Sequence, residues 1–284
     1  MSEDFFITFQ IDDVIETADM DVPISIKGFS YRDSSDPKVL YFEQTGILYI
    51  RLPDMDTEYI SFYRDTIPKY KDKSIQKVVI DIRSNGGGND EVWMTVLSAI
   101  IDKSIICKNK TYLKNTPLVI DYMSKIRNEQ IISDQISSLN IDDNYYLERF
   151  DKDTIALSPK SIRYTGKIYV LVDKRCFSSA LAFTAFCCRT DQLITVGQPS
   201  GYIGGRGTSP FFFSLPHSKL IFAISPMLDA TNVESIEDYY DRFVQIPVFL
   251  TIADYVFERK YEGERYGEEY LFNYDSTFRK VLEL

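Results

Sequence analysis

The chain has 284 residues, 44% of them hydrophobic, so it is long enough to bury one large core or two modest ones. Its 32 basic and 42 acidic residues give a formal charge of −10, and a negative surface repels phosphate backbones. The composition therefore argues against a nucleic-acid partner. No apolar run reaches the ~18 residues that a membrane-spanning helix needs, so we expect no membrane span.

Residues 1–30 lack the basic start and the apolar block of a signal peptide. We therefore expect a cytoplasmic protein, with an exported mature form as the alternative if a leader has been removed. The four cysteines follow no zinc-binding spacing, which predicts buried, reduced thiols. His217 is the single histidine, so a histidine-rich metal centre is excluded, and we expect neither a metal site nor a cofactor.

The first third of the chain predicts a strand hairpin, a helix and a buried strand. Strands are expected at 39–42 and 47–52, and a helix within 54–71. The apolar, β-branched run at 78–82 then reads as a core strand that leads directly into Gly86, Gly87 and Gly88. Glycine permits backbone angles that other residues avoid and leaves its amide exposed, so this bend can present N–H groups to a negative charge.

Strands and helices alternate along the rest of the chain. Asn89 and Asp90 can cap a helix that covers 92–101. The further expected elements are a strand at 105–113, a polar, helical insertion or lid at about 117–150, a strand at 167–173, a helix from near Ser178, a strand at 193–196, a glycine-rich loop at 197–207, strands at 211–215 and 220–225, and C-terminal helices. This alternation predicts an α/β layered fold with the site at the carboxyl ends of the strands.

Five segments carry a family resemblance together, in a fixed order. They are GILYIRLPDM (46–55), VVIDIRSNGGGND (78–90), GKIYVLVDKRCFSSALAF (166–183), VGQPSGYIGG (196–205) and FSLPHSKL (213–220). The set resembles the tail-specific, or C-terminal-processing, serine peptidase family, which also includes the tricorn core protease. The match covers roughly residues 37–255, and the "GGGN" continuation is similar to the branch of the family that lacks a PDZ domain.

This resemblance implies a crotonase/ClpP-like layered core, a mixed sheet flanked by helices with a helical insertion. It divides the chain into a short N-terminal segment, 1–36, too short for a PDZ domain, and a catalytic core at 37–260. The insertion at about 117–150 lies within that core, and residues 261–284 form a C-terminal helical tail. The oligomeric state is left open.

The resemblance also implies catalytic roles. Ser178 aligns with the nucleophile, and the amides of Ser179 and Gly87 align with the oxyanion-hole donors. The implied reaction is hydrolysis of a peptide bond through an acyl-enzyme, on peptides or unfolded protein chains. The alternative for Ser178 is an ordinary helix N-cap.

The residues that supply a base elsewhere in the family are replaced here. Ile203 stands at the lysine position of the bacterial processing proteases, and Arg51 stands at the histidine position of the tricorn branch. Arginine cannot accept the proton of a serine, because its pKa stays above ~12. Leu181 replaces the glutamate that usually follows the serine by three residues. His217 is the remaining candidate base, with a plain turn residue as its alternative.

Four further residues are candidate substrate contacts. Gly86 and Gly88 flank the aligned donor, while Arg83 and Arg206 could clamp a substrate carboxylate or form structural ion pairs. Two functions stay open: an active serine peptidase, and a catalytically silent relative that serves as a peptide-binding or assembly module. An acyl hydrolase or acyl-CoA enzyme is a third, although a charge of −10 does not favour a nucleotide groove.

Overall fold

A computed structural model describes residues 36–125, 136–137, 146–201, 207–208, 211–215, 217–231 and 244–284. The strands within these ranges are β1 (Lys38–Phe42), β2 (Ile47–Arg51), β3 (Lys77–Asp81), β4 (Ile105–Lys114), β5 (Ile136–Ser137), β6 (Tyr146–Ile155), β7 (Ile168–Val172), β8 (Leu193–Gly197), β9 (Gly207–Thr208), β10 (Phe211–Ser214), β11 (Ile221–Ile224), β12 (Met227–Asp229) and β13 (Ile246–Pro247). The α-helices are α1 (Ile60–Thr66), α2 (Glu91–Ile100), α3 (Pro117–Lys125), α4 (Ser179–Cys187), α5 (Ile252–Lys260), α6 (Glu268–Asn273) and α7 (Ser276–Leu282).

The main sheet has six strands in the order β1-β2-β3-β7-β8-β13. The β1–β2 pair is antiparallel and every other pair is parallel, so β2, β3, β7, β8 and β13 end at the same edge. Strands β2 and β7 are buried along their whole length, as expected of parallel strands covered on both faces.

Helices cover both faces of this sheet. One apolar cluster joins the sheet to α1, α2 and α4, with Tyr63, Trp93 and Phe183 among its buried side chains. On the opposite face a second cluster joins the sheet to α6 and α7 through Leu271 and Phe278. The structure thus confirms the α/β class, a mixed sheet between two layers of helices.

A second, antiparallel sheet contains part of the expected insertion, and helix α3 contains most of its other described residues. Its order is β5-β6-β4-β12-β9, and β4 and β6 pair along ten residues each. The helical expectation for 117–150 holds for α3, whereas the region from Tyr146 onward is a strand. The polar residues there form a strand because β4 offers its full edge for pairing, which outweighs local propensity.

The other predicted elements are close to those observed. The helix expected within 54–71 consists of α1 between two 3-10 turns, Thr57–Tyr59 and Ile67–Tyr70, and Pro68 accompanies the second change of helix type. None of the helices in the described ranges combines the length and apolar character needed to cross a membrane. Residues 1–35 of the expected N-terminal segment and residues 202–206 of the expected loop at 197–207 lie outside the described residues.

Candidate active site

Two neighbouring strands bring the glycine bend and the Ser178 segment together. Strands β3 and β7 are paired in parallel, and each leads into one of these segments at the same edge of the sheet. Beyond the strands the contact continues, because the Phe177 amide donates to the Asn85 carbonyl at 3.1 Å. The Ser84 amide donates to Asp173 Oδ1 at 2.9 Å, so side-chain contacts also join the two loops.

Ser178 occupies a sharp turn between β7 and α4. Its backbone angles are φ 53° and ψ −122°, a region that a residue with a Cβ rarely adopts. The side chain is exposed and makes no capping hydrogen bond to α4, although Ser178 holds the N-cap position. An ordinary N-cap serine has extended angles and caps the helix, so the arrangement does not match that alternative.

Gly87 lies directly against Ser178. A Cβ added at Gly87 would stand 2.6 Å from the Ser178 Cβ, 2.7 Å from the Phe177 carbonyl oxygen and 2.9 Å from the Ser179 nitrogen. The φ of Gly87 is +97°, which also favours glycine. Gly88 has φ +142°, and its added Cβ would meet the Met55 carbonyl oxygen at 2.3 Å. The close approach of the bend to the Ser178 loop at Gly87, and to Met55 at Gly88, therefore depends on bare glycine backbone.

The two aligned oxyanion donors differ in their partners. The Gly87 amide donates to the side-chain oxygen of Asn85 at 2.8 Å, and Asn85 Nδ2 donates to the Leu52 carbonyl at 3.0 Å. Within the described ranges, no group accepts a hydrogen bond from the Ser179 amide. An oxyanion at this place would thus find one open donor and one that it must share with Asn85.

Sequence reasoning did not single out Asn85, and it assigned Asp90 only a capping role. Asn85 is completely buried and shapes the bend; an asparagine two residues before a glycine is a signal for such a side-chain turn. Asp90 precedes α2 as expected, but its carboxylate accepts hydrogen bonds from the Ser179 hydroxyl and from Trp93 Nε1. Asn89 caps instead, since its side-chain oxygen accepts from the Glu91 amide at 2.9 Å.

A base for Ser178 is not among the described contacts. No described side chain hydrogen-bonds to the Ser178 hydroxyl. His217 is exposed in the turn between β10 and β11, which fits the turn alternative, and no contact with Ser178 is described. Leu181 is buried and packs against Ala185. Ile203 and Arg206 lie outside the described residues, so the predictions for them stay predictions.

Arg51 and Arg83 belong to a buried ion network beneath this edge. Arg83 contacts Asp81 and Asp275, each at 2.6 Å, and Arg51 Nη1 lies 3.4 Å from Asp81 Oδ1. For Arg83 this is the structural ion pair left open as the alternative to a substrate clamp. Burial alone would raise the pKa of Asp81, but the charges of Arg83 and Arg51, with the hydrogen bonds from Arg83, hold it below its usual value.

Cys176 lies two residues before the candidate nucleophile but is not a rival to it. Its side chain is buried, and its Sγ lies 3.2 Å from the Ile82 carbonyl oxygen. Burial, together with the nearby charge of Asp173, raises the pKa of this thiol well above its ordinary value. A thiol is a poor nucleophile, so Cys176 has a packing role, as the composition predicts.

A cavity of about 70 Å³ lies beside the first residues of the loop that leads from β7 to Ser178. Lys174, Gln198 and Tyr255 line it, together with Arg83 and Asp275, between the ends of β7 and β8 and the C-terminal helices. Ser178 does not line this cavity. Among the described residues no group of three or more His, Cys, Asp or Glu side chains could hold a metal ion.

Comparisons with known proteins concern the family and the fold of this chain. The sequence model of peptidase family S41 matches residues 46–239. No curated protein matches the sequence. Among solved structures, mature CPAF has a TM-score of 0.51 at 16% identity and a candidate peptidase from Parabacteroides merdae has 0.50 at 15%. A candidate S41 protease from Bacteroides fragilis has a TM-score of 0.51 at 10% identity.

These structural likenesses concern the fold. They cover 73%, 81% and 87% of this chain, respectively, and 47%, 62% and 56% of the matched chains. The chain therefore spans about half to three fifths of the length of these neighbours. The family match covers more than half of the sequence and contains both the glycine bend and the Ser178 turn. The chain belongs to peptidase family S41.

Proposed function

We propose that the protein is a serine-type peptidase that hydrolyses peptide bonds through an acyl-enzyme on Ser178. The Ser179 amide, with a share of the Gly87 amide, would stabilise the oxyanion of the tetrahedral intermediate. The substrate would be a peptide or an unfolded protein chain, because an extended backbone can reach a serine exposed at the edge of a sheet. This substrate class extends the family membership and is part of the proposal.

The contact between Gly87 and Ser178 carries the proposal. The 2.6 Å that would separate their Cβ atoms leaves no room for any side chain at residue 87, so a glycine amide stands beside the serine. The unusual angles of Ser178 support the same role. A strained serine on a strand-to-helix turn, with its hydroxyl exposed, is the arrangement that presents a nucleophile in several hydrolase folds.

A fluorophosphonate probe tests this proposal, because it reacts with activated serines. We expect one label, mapped to Ser178 by peptide mass spectrometry and lost in Ser178→Ala. Ser276→Ala is a matched control, since Ser276 also lies at a helix start, as the first residue of α7, but its hydroxyl donates to Asp254. Absence of a label, combined with intact unfolded protein substrates, would overturn the proposal.

The base is tested separately. If His217 accepts the proton, His217→Gln should lower the labelling rate by about 100-fold, the contribution typical of general-base catalysis. An unchanged rate in His217→Gln would assign His217 to the turn and place the base elsewhere. The labelling rate of the unaltered protein as a function of pH would then give the pKa of the group that acts.

A catalytically silent homologue is the second candidate, and two observations favour it. The Gly87 amide is already engaged by Asn85, and the Ser178 hydroxyl has no hydrogen-bonding base among the described residues. Such a protein would bind extended peptides without cleaving them. Equal binding of a fluorescent unfolded peptide by the unaltered protein and by Ser178→Ala, without cleavage by either, would support this function.

A further inference from the structure

The Asp90 carboxylate joins the starts of two helices beside Ser178. It holds the N-cap position of α2, and its Oδ1 atom accepts a hydrogen bond from Trp93 Nε1 at 3.0 Å. The same oxygen accepts from the hydroxyl of Ser179, the first residue of α4. Asp90 is exposed and Ser179 is buried, so this bond reaches from the surface into the helix junction.

The ring of Trp93 extends this junction along the two helices. It stacks on Phe183 of α4 at a centroid distance of 5.1 Å and an interplanar angle of 12°, and it contacts Phe186 at 5.0 Å. The indole therefore packs on α4 through its face while its N–H is directed to Asp90. Aromatic pairs of this kind contribute beyond their buried area, so the relative position of α2 and α4 is fixed at two points.

The start of α4 needs such a support. Ser178 makes no capping hydrogen bond, and the first amides of a helix have no partner within the helix, so this turn is expected to open easily. An oxyanion donor is effective only when it is already oriented before the reaction. A bond from the Ser179 side chain to Asp90 restrains the residue whose amide is the open donor.

We propose that Asp90 is a positioning residue of the peptidase site. By accepting a hydrogen bond from the Ser179 hydroxyl, it orients the Ser179 amide towards the oxyanion of the tetrahedral intermediate that Ser178 forms with the substrate. This inference rests on the proposed function. It adds a residue that acts through Ser179 and does not itself touch the substrate. The hydrogen bond carries the effect rather than the negative charge, since a fixed anion would oppose an oxyanion nearby. Asparagine, which keeps the accepting oxygen, should therefore replace Asp90 well.

Four variants test the role: Asp90→Ala, Asp90→Asn, Ser179→Ala and the control Ser276→Ala. The control removes a serine hydroxyl that donates to Asp254, an equivalent bond between α7 and α5. The maximal rate of fluorophosphonate labelling should fall by about 10-fold in Asp90→Ala and in Ser179→Ala, because a small misplacement of a reacting group is costly. The maximal labelling rate should stay within about threefold of the unaltered rate in Asp90→Asn and in the control. The probe concentration that gives half of the maximal rate should not change in any variant.

Amide hydrogen exchange gives a readout that does not depend on activity. Exchange at residues 179–182 should accelerate by about 10-fold in Asp90→Ala and Ser179→Ala, and not in Asp90→Asn or the control. Labelling of Ser179→Ala at the unaltered rate, or equal losses in Asp90→Ala and Asp90→Asn, would overturn the positioning role. If the unaltered protein is not labelled, the proposed function fails, and exchange alone then decides whether Asp90 orders the Ser179 amide.

Discussion

Two polar regions lie at the same edge of the main sheet, and they are built in opposite ways. In the buried network each of the four charges of Arg51, Asp81, Arg83 and Asp275 lies within 3.4 Å of an opposite charge. In the Ser178 turn the hydroxyl is exposed, the backbone angles are unfavourable and the neighbouring amide has no described acceptor. In the first region the charged groups are paired with one another, whereas in the second a hydroxyl and an amide have no described hydrogen-bond partner.

Substitutions in the two regions should therefore affect different properties of the protein. Breaking a buried pair leaves an uncompensated charge and costs about 3–5 kcal/mol, so the network holds the strands to the C-terminal helices. Unfavourable backbone angles cost about 1–3 kcal/mol and persist only where the surroundings enforce them. We therefore expect network variants to change the free energy of unfolding, and turn variants to change the reaction of Ser178 as well.

Asp275→Ala should have the largest effect on stability. It removes the partner of Arg83 and the N-cap of α7, where the Asp275 side chain accepts from the Thr277 and Phe278 amides at 3.0 and 2.9 Å. The free energy of unfolding should fall by about 3–5 kcal/mol in a urea titration. The control Lys280→Ala removes an exposed ion pair with Glu283 and should leave the free energy of unfolding nearly unchanged, because solvent screens such pairs.

Fluorophosphonate labelling of Ser178 in Asp275→Ala tests whether the ion network and the Ser178 turn are independent. At a temperature where Asp275→Ala is folded, we expect the unaltered labelling rate, because the network does not touch the serine. A loss of labelling in the folded variant would show that the two regions are coupled.

Gly87→Ala should have the second-largest effect, and it should lower both the stability and the rate at which Ser178 is labelled. The added methyl group would meet the Ser178 Cβ at 2.6 Å, and alanine avoids the φ of +97°. We expect a loss of about 2–4 kcal/mol in stability and a fall in labelling rate of about 100-fold. Gly86 is exposed and does not have a positive φ, so Gly86→Ala is the matched control for stability. Equal stability of the two variants would contradict the close contact.

The strands and the glycine bend were predictable because their signals are local. A β-branched run before three glycines and an Asn–Asp pair before an apolar helix indicate β3 and α2 without any long-range information. The contact of this bend with Ser178 was implied by the family resemblance, and the parallel pairing of β3 with β7 accounts for it. Here the sequence and the structure agree.

Contacts between distant residues were not predictable in the same way. Arg83 was a candidate substrate clamp, but its partner Asp275 lies 192 residues further along the chain. The strand character of β6 likewise depends on pairing with β4 rather than on its own polar residues. Gly87 and Asn85 are only two residues apart in the sequence. The sequence alone nevertheless does not show that the Gly87 amide donates to the Asn85 side chain, because this bond depends on the buried position of Asn85.

Asn85→Ala tests whether the Asn85 side chain supports the bend or competes for the Gly87 amide. The change removes the acceptor of the Gly87 amide and the closer of two donors to the Leu52 carbonyl, which keeps Arg51 Nη1 at 3.4 Å. An unsatisfied buried group costs about 1–3 kcal/mol. We expect that loss in stability and a fall in labelling rate of about 10-fold, because the bend loses the contact that shapes it. A faster labelling rate would mean the reverse, that the Asn85 side chain competes with the oxyanion for the Gly87 amide.

Tyr49→Phe should have the smallest effect, and one that depends on pH. The Tyr49 hydroxyl donates to Asp81 Oδ2 at 2.8 Å and so favours the ionised carboxylate, whose pKa is already lowered. A lowered folded-state pKa contributes stability above the unfolded value of ~3.9, and this contribution is lost as the pH falls through the folded value. The variant should therefore lose about 1–2 kcal/mol at pH 7, and the difference should shrink as the pH falls below the unfolded value of ~3.9. Tyr63→Phe is the control, because its hydroxyl donates to the uncharged carbonyl of Arg51 at 2.6 Å and its cost should not change with pH.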